Sequence, residues 1–473
     1  MRKKVVMVVP QSRWTSKDHL PSVGIAYIAA ALEREGYDVS IVDCQVSALS
    51  LTDAAETIVG CKPDAVGLTA SSHSRFWTIE LAREIKRRGE LLLFAGGVHF
   101  GLTGRDALQN VEEMDVIVKG EGEVTTPELL KAWFDGHDLG KVQGIIFRDD
   151  HDQIIENPDR AFIQDLNALP SPAWHLLDLD KYDARLEGCP GEDGKAVGVL
   201  SSRGCPFSCI FCANEAFWRR RLRRLAPERF VDQIEYLNRQ YGFRDFDLWD
   251  DTFTVVEPHA RNVCEEILRR GMDIRLYLRA RVDTVNRDLL QLIKRAGGVA
   301  IGYGIESGSQ RVLDNIDKGI TVSRAESTVK MSLDLGYFVK AFFMTSLPGE
   351  TLKDVEMTLE LVENLRLYGG NRISIGAGFP TIIYPGTKIE SMAKELGLLP
   401  TDFSWNTYHE FETTSELGLN PTLPCFENPG LPLKEILRFR HSRGGTRNSK
   451  KQAQGGDRLF KRLGKKLIRR FLK

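Results

Sequence analysis

A chain of 473 residues is longer than one ordinary domain and predicts two or three. Its 42% apolar and 27% charged residues are those of a soluble globular protein, and no run of about 18 apolar residues is present to cross a membrane as a helix. The net charge of −1 is uneven: Lys434 to Lys473 holds 15 Lys or Arg against 2 acids, a local +13, so the other residues carry −1 − 13 = −14.

The opening run Val5-Val-Met-Val-Val9 is too short for a secretory leader and no small-residue cleavage site follows, so it reads as a first strand. That predicts a cytoplasmic protein with reduced thiols, whose eight cysteines are candidates for metal ligands or core packing. A helix near Val23 to Glu35 follows, then a strand at Val39 to Val42 and a helix near Asp53. The strand Ala65 to Thr69 precedes a helix near Phe76 to Arg87; strands at Leu91 to Phe94 and Val116 to Val118 and a helix near Val124 to Trp133 complete the unit. Continuous apolar runs of this kind predict a parallel sheet buried on both faces. Residues 1–140 therefore read as an open, doubly wound α/β domain (flavodoxin-like or Rossmann-like) with ligands at the carboxyl ends of its strands. Small residues cluster at those ends: Thr69-Ala-Ser71-Ser72, Gly96-Gly97-Val-His99 and Gly120-Glu121-Gly-Glu123. They are either tight turns or a cradle where backbone approaches a large flat ligand.

Residues 141–194 read as a hairpin, around Gln143 to Phe147 and Gln153 to Ile155, followed by a Pro-rich crossing that contains a structural Cys189. The strand Val197 to Leu200 then leads into Arg203-Gly-Cys205-Pro-Phe-Ser-Cys209-Ile-Phe211-Cys212. A structural zinc site needs four ligands in paired sets, and no second pair follows nearby. A redox Cys-x-x-Cys leaves Cys205 unexplained. Three thiolates at this spacing suit three irons of a 4Fe-4S cube, with the fourth iron open to the amino and carboxylate groups of S-adenosylmethionine. Cys205, Cys209 and Cys212 are therefore the candidate metal ligands and catalytic residues.

From Val197 the β-then-α alternation repeats. Strands are expected at 197–203, 245–250, 274–281, 299–305, 338–346 and 372–378, with helices such as Pro227 to Gln240, His259 to Arg270 and Val355 to Leu365. Six such units predict a partial (β/α)6 TIM-like barrel over residues 195–400, its site at the strand carboxyl ends. Asp250-Asp251, Arg279-Ala-Arg281, Gly302 to Gly308 with Glu306 and Ser307, and Ser346-Leu-Pro-Gly-Glu-Thr351 fall there. Each taken singly could also be a helix cap or a salt bridge. Arg219 to Arg224 reads as a solvated or cofactor-side face rather than a substrate site. In the C-terminal region, 401–473, a Gly-rich linker (444–456) precedes a basic amphipathic helix. That helix is suited to an anionic membrane surface or to docking on the acidic body; nucleic acid is the weaker reading, as no binding module is recognisable.

Pro21-x-x-Gly24, Gly67-Leu-Thr69, Gly96-Gly97 and Gly120-Glu-Gly-Glu123, followed by the three-cysteine loop and the strand-end carboxylates, resemble the radical S-adenosylmethionine enzymes that carry a cobalamin-binding domain. The barrel part of the likeness covers roughly residues 195–390. The resemblance implies a 4Fe-4S cluster, S-adenosylmethionine and cobalamin as cofactors. It places Thr69, Ser71, Gly96, Gly97, Gly120 and Glu121 around cobalamin, and Phe211 near the adenine. Asp250 and Asp251 fall at the amino-group site, while Arg281, Glu306 and Ser307 are candidates for carboxylate and ribose contacts. The Asp-x-His-x-x-Gly signature is absent, since Asp18 and His19 are adjacent and the next glycine is Gly24; this implies cobalamin without a protein histidine on cobalt, and His99 is not promoted to that role. The implied activity is methyl transfer to an unactivated carbon of a biosynthetic intermediate, a lipid or a natural product among the options, with flavodoxin or ferredoxin as electron donor. The alternatives are a radical cyclase, ring-contraction or rearrangement enzyme, and a cobalamin- or redox-sensing binding protein. The expected location is cytoplasmic, or peripheral on the inner face of the membrane through the tail.

Overall fold

The computed structural model describes residues 2–12, 20–186 and 194–444; Asp18, His19, Cys189 and the basic tail beyond residue 444 lie outside the described residues. In the N-terminal unit, β1 (Lys4–Val9), β2 (Asp38–Asp43), β3 (Ala65–Thr69), β4 (Leu92–Gly96) and β5 (Val116–Val118) form a parallel sheet in the order β2-β1-β3-β4-β5. That is the flavodoxin-like order, whose ligand crevice lies outside the strand carboxyl ends. Alternation along β1 fills both faces. Val6 and Val8 pack under helices Leu51–Gly60, Arg75–Lys86 and Gly97–Asn110, while Val5 and Met7 pack under Val23–Arg34 and Gly122–Asp135. The expected hairpin, β6 (Ile145–Arg148) and β7 (Ile154–Glu156), pairs antiparallel onto β5, so the sheet runs on past residue 140.

One departure from the sequence reading is the helix Gly97–Asn110, which begins at a segment read only as a tight turn or a ligand cradle. Gly97, Gly101 and Gly104 lower its intrinsic helix propensity. Tertiary packing explains them: a Cβ on Gly104 would lie 2.7 Å from Ile146 Cδ1, and one on Gly101 3.3 Å from the Phe217 ring.

The second unit is a parallel sheet in the order β15-β14-β13-β12-β11-β8. Its strands are β8 (Ala196–Val199), β11 (Asp245–Leu248), β12 (Arg275–Ala280), β13 (Gly298–Glu306), β14 (Phe338–Thr345) and β15 (Ile373–Pro380). Strands β8 and β15 do not pair, so the barrel is open along one side. The strand expected at 197–203 is cut at Val199. Beyond it the Asp250 carboxylate draws in the Ser201 amide and hydroxyl and the Ser202 hydroxyl. The chain then forms β9 (Ser202–Arg203), which pairs antiparallel with β10 (Arg223–Arg224).

Residues 398 to 432 strap the two units together. Arg75, fully buried, donates to the carbonyls of Trp405 (2.8 Å) and Thr422 (2.6 Å). Trp405 Nε1 in turn donates to Glu390 Oε1 on the barrel side. Helix Leu433–Gly444 then packs on helix Leu352–Gly369. Among the described residues, no helix is long and apolar enough to cross a membrane.

Candidate active site

The three-cysteine loop is held at its root. Gly204 has φ +90°, and a Cβ there would lie 2.0 Å from the Arg221 carbonyl, so only glycine fits. Cys205, Cys209 and Cys212 are partly exposed, and the thiols of Cys205 and Cys212 each sense Cys209 electrostatically. Burial pushes the Cys212 thiol up to about 11 and raises Cys205 as well. Metal binding here must therefore displace protons. Arg281 supplies compensating charge: its Nη1 lies 3.9 Å from Cys209 Sγ, with its guanidinium 3.6 Å over the Phe207 ring. Among the described residues, no three His, Cys, Asp or Glu side chains converge as a single-ion site would. Three separate thiols beside a guanidinium fit a multi-iron cube better than one zinc ion. Cys44, Cys264 and Cys425 are buried, and burial pushes each thiol up to about 12, so they stay protonated and serve packing.

The two aspartates at the end of β11 have different surroundings. Asp250 is fully buried, and its carboxylate is engaged by Ser201 and Ser202. Asp251 accepts from Asn214 Nδ2 at 2.6 Å and is the one whose charge is felt by Cys205 and Cys212. Burial raises the pKa of both. Glu306 sits in left-handed backbone at φ +69° and receives Lys318 Nζ at 2.7 Å in a buried pair. Lys318 also lies 5.7 Å from the Phe211 ring, and its carbonyl accepts from Arg281 Nη2 at 2.6 Å. It thereby joins Phe211, Arg281 and Glu306 into one cluster. Sequence reasoning missed Lys318, because a lysine before a turn glycine carries no signal. Ser307 is buried, with Oγ against Thr358 Oγ1. Glu350, of the Ser346-to-Thr351 motif, accepts from the Ser346 amide at 2.6 Å, and burial pushes its carboxyl up to about 7.

Small residues cluster at the carboxyl ends of β3, β4 and β5. Gly97 has φ +83° and a Cβ there would lie 2.4 Å from Thr69 Oγ1, which forces backbone close to backbone. Gly96 adjoins it, Ser71 is exposed beside it, and nothing lies within 4 Å of a Cβ built on Gly120. Val98 and Val124 stand 45% and 39% exposed at these ends, an apolar surface that fits a large flat ligand. His99 is 0% exposed; its Nδ1 accepts from Ser72 Oγ (3.0 Å) and its Nε2 donates to Asn406 Oδ1 (3.3 Å). Burial holds it neutral, near 3, and both nitrogens are occupied within the fold.

The Glu121 carboxylate is engaged within the protein. Its oxygens accept from Arg203 Nη1 (2.8 Å), Arg223 Nη1 (2.5 Å) and the Ile163 amide, so its side chain serves the junction between the units. Glu123 completes the network by accepting from Arg203 Nη2 at 2.6 Å. Arg203 lies 4.9 Å over the Tyr27 ring, and Arg223 lies over Phe162 and Trp218. The Arg219–Arg224 run is thus not uniformly solvated, because Arg223 is buried here. A second junction joins the loop after β3 to the chain after β15 through His73 Nε2 and Tyr384 Oη at 3.1 Å. Between these two junctions, the strand ends of the sheet face the strand ends of the barrel.

Comparison with known proteins agrees with this arrangement. Residues 199–362 match the Radical SAM superfamily, and residues 14–130 match the B12 binding domain. The chain is 31% identical over 421 residues to an uncharacterized methyltransferase of Pyrococcus horikoshii, covering 88% of each. It is 30% identical over 353 residues to the anaerobic magnesium-protoporphyrin IX monomethyl ester cyclase of Rubrivivax gelatinosus, covering 73% of this chain and 62% of the cyclase. Among solved structures, the radical S-adenosylmethionine methyltransferase TsrM of Kitasatospora setae, with tryptophan and a cofactor analogue bound, matches with a TM-score of 0.69 at 21% identity. That match covers 84% of this chain and 77% of TsrM, and it speaks for the fold.

Proposed function

Because the chain belongs to the radical S-adenosylmethionine superfamily, in the branch with a cobalamin-binding domain ahead of the barrel, we propose that it transfers a methyl group to an unactivated carbon of a biosynthetic intermediate. It is a cobalamin-dependent radical enzyme with a 4Fe-4S cluster, S-adenosylmethionine and cobalamin as cofactors. The observation that carries the methyl-transfer reading is the opposition of the two strand-end surfaces, fixed by Arg203 with Glu121 and Glu123 on one side and by His73 with Tyr384 on the other. A substrate lying between them is within reach of both.

When bound, the cluster and S-adenosylmethionine supply hydrogen-abstracting radical chemistry, and cobalamin supplies the methyl group. The protein's own work is to bind, orient and keep out water. Cys205, Cys209 and Cys212 would hold the cluster, and Arg281 beside Cys209 stabilises thiolate charge. Asp251 is available for an ammonium group, and the Glu306–Lys318 pair with Phe211 frames a polar and an aromatic contact on the opposite strand ends. The shelf of Ser71, Gly96, Gly97, Val98, Gly120 and Val124 would hold cobalamin through backbone and apolar contact, with His99 sealed away below it.

Anaerobic assay of the reconstituted protein tests this. Methyl transfer yields both 5′-deoxyadenosine and S-adenosylhomocysteine. A cyclase or rearrangement enzyme, a reading favoured by the likeness to the Rubrivivax cyclase, yields only 5′-deoxyadenosine. A sensor yields neither.

A further inference from the structure

One charged surface lies beside the cofactor sites without joining them. The six residues Arg219 to Arg224 hold five arginines, in a chain whose net charge is −1. Only Arg223 turns inward, onto Glu121 and the Ile163 carbonyl. Arg219, Arg220, Arg221 and Arg224 are exposed. Arg219 reaches Asp159, a carboxylate it shares with Lys119. Arg220 spends its Nε on the Pro206 carbonyl at 2.9 Å. Arg224 is felt by His259, a neutral ring. Glu215, on the helix that leads into the run, lies 3.9 Å from Lys388 instead. Among the described residues, no carboxylate forms an ion pair with Arg220, Arg221 or Arg224. Like charges set this close repel one another, so the run is a source of strong positive field.

The backbone ties this field to the three-cysteine loop. Arg219 and Arg220 both take left-handed backbone, at φ +49° and +59°, a region that side chains other than glycine rarely adopt. The turn brings Arg220 to the Pro206 carbonyl, directly after Cys205, and sets the Arg221 carbonyl against Gly204, directly before it. Pro206 and Trp218 are partly exposed and add apolar surface beside the run. The unpaired guanidiniums therefore border the first of the three cluster ligands.

Breaking the carbon–sulfur bond of a sulfonium takes one electron. Added to the bonding pair, it leaves a lone pair on the methionine sulfur and one unpaired electron on the adenosyl carbon. A protein that donates this electron has to approach the cluster loop closely, because electron transfer fades steeply with distance. We propose that Arg220, Arg221 and Arg224 form the docking surface for an acidic one-electron carrier protein. The carrier is oxidised by one electron as it reduces the cluster held by Cys205, Cys209 and Cys212. The proposal rests on the cluster assignment and adds the partner's chemistry. Charge complementarity selects that partner: an acidic face is steered to the run, makes a small contact and leaves again, as electron-transfer encounters do.

The test uses reconstituted holoenzyme and two acidic probes, reduced flavodoxin and reduced bacterial ferredoxin, at low and high ionic strength. Cluster reduction is read by electron paramagnetic resonance of rapidly frozen samples, and affinity by calorimetry with the oxidised carriers. Methyl viologen radical, a small cation that needs no docking surface, is the control reductant. Arg221→Gln combined with Arg224→Gln removes two exposed charges that pair with no carboxylate among the described residues. This double variant is expected to slow reduction by the carriers about tenfold at low salt and much less at high salt, with methyl viologen unaffected. Arg221→Lys combined with Arg224→Lys is expected to keep most of the rate, since charge rather than a planar guanidinium does the steering. Equal carrier rates for wild type and the Gln variant at low salt overturn the proposal. So does failure of both carriers to reduce the wild type, or an equal loss with methyl viologen. A salt-dependent loss in holoenzyme that forms 5′-deoxyadenosine but no S-adenosylhomocysteine upholds the docking surface and overturns methyl transfer.

Discussion

The two surfaces that face each other across the site are prepared for their ligands in opposite ways. The N-terminal sheet ends in glycines, a serine and exposed valines, with its charged side chains turned to the junction. The barrel ends in carboxylates and cations that already contact one another, Glu306 with Lys318 and Arg281 with Asp283. A large, flat ligand needs area and close backbone approach, which small residues give. A small zwitterionic ligand needs fixed charges, and those must be held apart from collapse by partners of their own. One surface is shaped by removing side chains, the other by positioning them.

Perturbations should therefore act differently on the two sides. The largest effect is expected at the barrel: Cys209→Ala should abolish 5′-deoxyadenosine formation, and retained formation would refute the ligand assignment. Next come the buried charges at the junction. Glu123→Gln leaves Arg203 with one carboxylate instead of two, and Arg203→Met takes the arginine from Glu123 and leaves Glu121 with Arg223 alone. Arg203→Met is expected to lower stability by about 3–5 kcal/mol, measured by denaturant unfolding, and Glu123→Gln by less. On the other surface, Gly97→Ala adds a methyl at φ +83° against Thr69 Oγ1 and should cost about 1–2 kcal/mol from the backbone alone. It should also reduce cobalamin uptake, read from the absorbance of the repurified protein. A stability loss without reduced uptake would show that the shelf is only a turn.

The smallest effect is a pH dependence. Burial holds His99 near 3 and His259 near 4, against about 6.5 in the unfolded chain. Between pH 6.5 and about 4 the unfolded state takes up protons that the folded state refuses. Stability is thus full above pH 6.5 and falls as pH drops, by on the order of 1.4 kcal/mol per unit for each histidine. His99→Gln should flatten the slope of melting temperature against pH by about half, and an unchanged slope would remove His99 from this account.

What was legible in the sequence was local. The spacing of Cys205, Cys209 and Cys212, the parallel-sheet runs and the strand-end motifs each lie within a few residues, where periodicity and turn chemistry speak directly. What was not legible was long-range. Arg203 meets Glu121 and Glu123 from about 80 residues away, and Arg223 meets Glu121 from 102, so nothing beside Glu121 in the chain tells its carboxylate from a ligand contact. The helix at Gly97 was hidden because its glycines answer to neighbours distant in sequence, Ile146 and Phe217, rather than to helix propensity. The β8 boundary failed for the same reason, since Asp250 ends that strand from 49 residues away.

Arg75 has a consequence for how the molecule comes into being. Two of its hydrogen bonds reach carbonyls 330 and 347 residues further along the chain. During synthesis the first domain must wait, its guanidinium and the His99 ring lacking their final partners, until that late segment has emerged. The first domain therefore reaches its finished form only in company with the barrel, and a ribosome-released fragment ending near residue 200 is expected to be a substrate for chaperones rather than a free-standing cofactor carrier.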